Sequence, residues 1–221
     1  MITPRLEKII SLVSSKRIAD IGTDHAYIPI RLAEQNKIET AVATDKNKGP
    51  LEIAAQNVKK YGLENIISLR QGDGLNPLKQ NEADEIIIAG MGGKLISDII
   101  EANLEIAKNA TLILQPMNAQ YELRKNLSSL GFSIIYEDLE KEGCKIYNFM
   151  VCRYEKSEAR DEFEYHIPKS LTSHKLYKML YDKKKREFTK IICGMKCSKE
   201  YDCKVLKYYE KMLEQLEKTL N

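Results

Sequence analysis

IADIGTDHAYIP, residues 18–29, is the stretch on which the reading of this chain turns. An apolar, β-branched run closes on an acidic residue, Asp20, and a glycine at Gly22 opens a turn. Polar Thr23, Asp24 and His25 follow, and a helical pattern begins near Tyr27, with Pro29 tolerated in its first turn. A strand, a loop and a helix in that order form the corner at which an open α/β sheet holds a nucleotide-like ligand. Gly22 leaves room for a ligand against bare backbone, and the helix start offers unpaired N–H groups.

The dinucleotide fingerprint G-x-G-x-x-G is absent, since only Gly22 is present. An acidic residue beside a single glycine suits a ligand carrying an ammonium and a sulfonium better than one carrying phosphates. S-adenosylmethionine is such a ligand.

Outward from this corner the chain alternates strands and helices. An amphipathic helix over 4–13 precedes a first strand over 17–21, and a helix over 28–35 follows the loop. A second strand over 39–44 ends at Asp45, and Asn47 is placed to cap a helix over 49–61 that Gly62 stops. Asp45 stands about 23 residues after Gly22, the spacing at which an acidic residue reaches ribose hydroxyls. An aspartate there also serves as a turn former. A third strand over 66–70 runs into Gln71-Gly72-Asp73-Gly74, a tight loop able to aim a carboxylate at an amino group such as adenine N6.

The fourth strand, 85–89, is a continuous apolar run of the kind buried on both faces, and it delivers Gly90-Met91-Gly92-Gly93 to the sheet edge. Glycines around one methionine suit backbone lying against a ligand, with Met91 as an apolar wall, or a loop needing positive φ angles. A helix over 94–103 follows, then a fifth strand over 111–114 and a helix over 119–130. Two strands over 132–139 and 145–154, too close for an intervening helix, pair as a hairpin. The expected fold class is α/β: a Rossmann-like class I methyltransferase sheet over 1–155, its last strand antiparallel. A C-terminal antiparallel helical hairpin, a short coiled coil, is expected within 156–221.

Residues 156–169 read as a polar linker broken by Pro168. Helices are expected over 173–195 and 199–220, with Tyr177, Leu180, Phe188, Ile191 and Met195 facing Leu206, Tyr209, Leu213, Leu216 and Leu220; Lys184 interrupts that seam. Net charge is −2 over 1–150 and +5 over 151–221. The tail is therefore the part suited to a polyanion, and Lys183, Lys184, Lys185 and Arg186 read as one basic surface cluster. Cys193, Cys197 and Cys203 fall short of a zinc spacing, and His166 and His174 do not complete one, so no metal is expected. No apolar run reaches membrane-spanning length and no cleavable signal pattern is seen, which points to a cytoplasmic chain without a membrane partner. A monomer is expected.

IADIGTDHAYIPI, the ATD ending the second strand, IIIAGMGG and LILQPMNAQYELRKNL together resemble the bacterial tRNA (adenine-22-N1)-methyltransferase family over the whole chain. The resemblance implies S-adenosylmethionine as cofactor and tRNA as substrate. It implies that Asp20, Gly22, Asp24, His25 and Tyr27 surround the methionine half, joined in the cofactor set by Thr23 and Lys46. Asp45 holds the ribose, Asp73 with Gly74 holds the adenine, and Ala89, Gly90, Met91 and Gly92 border the methyl group and the incoming base. Asp24 is the first candidate for a carboxylate facing the developing charge, and His25 the second, as hydrogen-bond partner or proton acceptor. The Asn-Pro-Pro-aromatic motif of N6-adenine methyltransferases is missing after the fourth strand, in keeping with attack by a ring nitrogen.

Overall fold

A computed structural model describes residues 2–155, 160–198 and 200–220. The chain divides into two compact units, Met1–Ala159 and Arg160–Asn221.

In the first unit, α1 (Pro4–Leu12) precedes β1 (Arg17–Ile21), α2 (Tyr27–Glu34), β2 (Thr40–Asp45), α3 (Lys48–Lys60) and β3 (Ile67–Gln71). Then come β4 (Glu85–Met91), α4 (Gly93–Ala102), α5 (Leu104–Ala107), β5 (Thr111–Pro116), α6 (Gln120–Ser129), β6 (Phe132–Glu142) and β7 (Lys145–Tyr154). The seven strands lie in the order β3-β2-β1-β4-β5-β7-β6. β3, β2, β1, β4 and β5 are parallel, and β7 runs antiparallel to both β5 and β6. α2 carries the chain from β1 to β2, α3 from β2 to β3, and α4 with α5 from β4 to β5, while the β3–β4 connection over 72–84 forms no helix; the short Gly143 turn can only return the chain antiparallel.

Ile86 and Ile88 of β4 pack in one core layer and Ile87 in the other, all three essentially inaccessible to solvent. A strand covered on both faces must be apolar throughout, and IIIA is. The same alternation in β1 and β5 makes the sheet centre rigid, so the loops leaving its carboxyl ends start from fixed points. Beside β6 and β7, the Arg124 guanidinium is buried against Glu137 at 2.7 Å and Asn148 at 3.3 Å, an anchor for α6.

The second unit holds α7 (Glu162–His166), a 3₁₀ turn (Lys169–Leu171), α8 (Tyr177–Cys197) and α9 (Cys203–Lys218). Lys185 meets Glu217 and Lys196 meets Glu210, both at 2.7 Å, so numbers rise on α8 as they fall on α9: an antiparallel hairpin. Two expectations are corrected here. Much of the supposed linker is structured: α7 falls within it, His166 and Ile167 are buried, and His166 Nε2 lies 2.8 Å from the Tyr208 hydroxyl and edge-on to Phe188. Residues 156–159 of that linker fall outside the described residues. The seam of α8 uses Tyr177, Leu180, Tyr181, Lys184, Phe188 and Ile192, so Lys184 belongs to it rather than breaking it. Among the described residues no helix is long and apolar enough to cross a membrane.

Candidate active site

Because five strands run parallel in register, the turns after Ile21, Asp45, Gln71, Met91 and Pro116 all emerge at one rim. Along it the loops follow strand order: the Asp73 loop, Asp45, the Gly22–His25 loop, Gly90–Gly92, then Gln115 at the end of β5. Backbone hydrogen bonds lace them together, from Thr23 N to Thr44 O at 2.8 Å, Gly72 N to Asp45 O at 3.0 Å and Met117 N to Met91 O at 2.8 Å.

Gly22 adopts φ +72°, a left-handed conformation that side chains resist, and a Cβ there would strike the Met91 tip. Gly93 is needed for packing instead, because a Cβ would fall 2.5 Å from the Ala119 carbonyl oxygen; its absence lets α4 sit on the β5–α6 turn. Ala26, which caps α2, is also left-handed at φ 58°, a strain of about 1 kcal/mol in an alanine. The strain sits directly after His25.

Asp20, Gly22, Thr23, Asp24, His25, Tyr27, Ala89 and Gly90 meet around one cavity of about 360 Å³. Thr3, the N-cap of α1, with Arg5 and Leu6 of that helix closes its other wall. Asp45, Lys46, Asp73, Gly74, Met91 and Gly92 do not line it; they continue along the same rim. Met91 lies against Gly22 instead of facing the cavity. Asn47 stands at the N-cap of α3 without a capping hydrogen bond from its side chain; its own N–H donates to Asp45 Oδ1 at 2.7 Å in a local turn. The Asp73 loop is braced from below, where Arg70 donates to the Pro77 carbonyl and pairs with Glu82, whose carboxyl that pairing pulls down to about 2.

Charge in the cavity is divided. Asp20 is buried, and burial pushes its carboxyl up to about 6, partly countered by Thr23 beside it. A carboxylate so placed wants a cation next to it. The Asp24 side chain, by contrast, is 80% exposed, and its Oδ1 lies 3.5 Å from His25 Nε2. The His25 ring packs edge-on to Tyr27, its centroid 5.3 Å away; its carbonyl accepts from Asn57 Nδ2 at 3.0 Å, and its Nδ1 is buried without a partner. The corner is therefore open to a large substrate while Asp20 is shielded from it.

Arg5 and Gln115 belong to the site although sequence reasoning does not find them. Arg5 Nη1 donates to Gln115 Oε1 at 2.8 Å, and the same oxygen accepts from Gly90 N at 3.2 Å. Their separation of 110 residues leaves no local signal.

The basic cluster is also corrected. Lys184 is buried against Glu187, Lys183 is half-buried with its ammonium lowered by desolvation, Lys185 is tied to Glu217, and Arg186 alone is exposed. Consecutive residues on a helix point about 100° apart, so four in a row cannot share one face. Among the described residues no group of three or more His, Cys, Asp or Glu side chains is placed to hold a metal ion.

A 3-2-1-4-5-7-6 sheet with an acid–glycine corner and no phosphate-binding glycine run defines the Rossmann-like class I methyltransferase architecture. The methyltransferase domain profile matches residues 2–150. The chain is 38% identical to the tRNA (adenine(22)-N(1))-methyltransferase of Bacillus subtilis over 152 residues, 68% of this chain and 64% of that protein. The alignment thus spans a little under two thirds of that relative's length. The crystal structure of the B. subtilis m1A22 tRNA methyltransferase TrmK superposes with TM-score 0.90 at 28% identity, covering 100% of this chain and 99% of that one. M. capricolum TrmK, in complex with the cofactor product S-adenosylhomocysteine, superposes with TM-score 0.83 at 27% identity over 99% and 97% of the two chains. The chain belongs to the bacterial tRNA (adenine-22-N1)-methyltransferase family.

Proposed function

We propose that this chain is an S-adenosylmethionine-dependent methyltransferase acting on N1 of adenine 22 of tRNA. The observation that carries the reading is the buried Asp20 carboxylate behind a left-handed Gly22, in a cavity that opens past Asp24 and His25.

The residues present fit the cofactor. Asp20 supplies the buried anion that an ammonium group matches, and Gly22, Thr23 and Tyr27 complete the methionine end. Asp45 with Lys46 serves the ribose, and Asp73 with Gly74 the adenine, in the order in which β1, β2 and β3 lie along the rim. When bound, the cofactor supplies an electrophilic methyl group on a sulfonium. Ala89 and Gly90 border the place where that methyl meets the base, with Met91 packed against Gly22 and Gly92 farther along the rim.

Adenine N1 attacks with its own lone pair, so the protein need not remove a proton first. Its work is alignment of the base and stabilisation of the cation formed on it. Asp24 faces that charge; RNA docking displaces water from its exposed carboxylate and strengthens the attraction. His25, held by Tyr27 and by Asn57 through its carbonyl, orients the corner and is the partner for a proton or hydrogen bond. N1 lies on the Watson-Crick edge, so the base must leave its helix before it enters. The second unit offers Arg186 as the exposed phosphate contact of the 183–186 cluster, Lys185 being tied to Glu217. Acting on tRNA, the enzyme works in the cytoplasm.

The test is methylation of unmodified tRNA with labelled cofactor, followed by nucleoside mapping. The expected product is 1-methyladenosine at position 22; label at another atom, or none, overturns the assignment.

A further inference from the structure

Beside the catalytic cavity, and sharing Tyr27 with it, a second groove of about 600 Å³ runs between α1, α2 and α3. Ile2 and Glu7, Arg31 and Glu34, Asn57, Lys60 and Tyr61 line it together with Tyr27. Two rings that would normally be tucked away stand open there, Tyr27 at 40% and Tyr61 at 48% exposure. Arg31 lies between two carboxylates yet reaches neither closely, 4.0 Å from Glu7 and 3.7 Å from Glu34. Its Nε is buried with no hydrogen-bond partner. Donors are thus left unspent in a groove whose fixed charges cancel, two acidic against two basic.

We propose that this groove receives the base of the nucleotide directly flanking the target adenine, with Tyr27 as the wedge between the two. The inference rests on the function proposed above. A phosphate would meet Glu7 and Glu34 as often as Arg31 and Lys60, whereas a base edge offers donors and acceptors to both signs. Aromatic faces bind any base by stacking, and a side chain inserted between neighbouring bases holds them unstacked, as extrusion of the target demands. Asn57 adds a mechanical link, because it lines the groove and also holds the His25 carbonyl at 3.0 Å. A flanking base seated there therefore bears on the catalytic corner without touching it.

The test uses the full chain, Tyr61→Ala and Tyr61→Phe, and full-length tRNA carrying an abasic nucleotide on either side of the target adenine in turn. Tyr61→Ala is expected to raise KM for intact tRNA about tenfold, the scale of one lost stacking contact, with cofactor affinity unchanged and Tyr61→Phe close to wild type. One abasic tRNA should impose the same loss on the wild-type chain and no further loss on Tyr61→Ala. Additive losses, or an unchanged KM in Tyr61→Ala, overturn the groove as a base site while leaving the methyltransferase assignment intact. Failure of the wild-type chain to methylate any tRNA overturns both.

Discussion

At the amino-terminal rim of the sheet, Glu85 accepts from both the N–H and the hydroxyl of Ser14, and Arg17 Nε grips Asp84 at 2.9 Å. At the opposite rim, Asp20 is a buried carboxylate that burial pushes up to about 6, His25 Nδ1 and Thr44 Oγ1 are buried without partners, and Ala26 is left-handed. One sheet supports both edges, yet one is saturated and the other is left in deficit. Deficits of this kind persist where a ligand completes them, and the saturated rim supplies stability that the other gives up.

Four changes probe this contrast. Asp24→Ala, at the open rim, should lower single-turnover methylation by about 100-fold or more, the scale of a lost transition-state charge contact, with tRNA binding nearly unchanged. Equal losses in rate and binding would remove Asp24 from catalysis.

Asp20→Asn should separate stability from function. An acid whose folded value lies near 6 instead of the ordinary 3.8 carries a penalty above pH 6 that is absent below about pH 4, so stability falls as pH rises across that window. The amide removes a penalty of about 3 kcal/mol at most, so the variant should melt higher at pH 7 while binding cofactor more weakly. In the wild type, cofactor affinity should decline as pH drops through 6, and Asn should flatten that decline. A variant that melts lower and binds normally would make Asp20 structural.

Glu85→Ala, at the saturated rim, should cost about 2 kcal/mol of stability by chemical denaturation and leave kcat unaltered, since it strands the Ser14 N–H and touches nothing at the other edge. A matching fall in kcat would show that the rims are not independent. Asp45→Ala should raise the cofactor dissociation constant about tenfold by calorimetry, a loss of about 1.4 kcal/mol. No change would reduce that carboxylate to the local turn it closes with Asn47.

The α/β architecture was legible because its signals are local and periodic. The IIIA run of β4, the single glycine after Asp20 and the missing helix between β6 and β7 each dictate structure over a few residues. The cavity's near wall was legible for the same reason, Asp20 to Tyr27 being one βα corner. Its far wall was not: Arg5 and Gln115 meet only once the sheet has closed, across 110 residues. In the tail, a three-four pattern located both helices but could not say that Lys184 would lie inside the seam, since a long aliphatic stem serves as packing when Glu187 takes its ammonium. Pro168 suggested a break, and the buried His166, Ile167 and Leu171 around it depend on partners far along the chain.

The most direct check is a crystal structure of the chain with S-adenosylhomocysteine. The account predicts the ligand's amino group against Asp20, its ribose at Asp45, its adenine by Asp73, and its sulfur turned toward the open Asp24–His25 corner. A ligand bound away from this rim, or a sulfur sealed off from that corner, would contradict it.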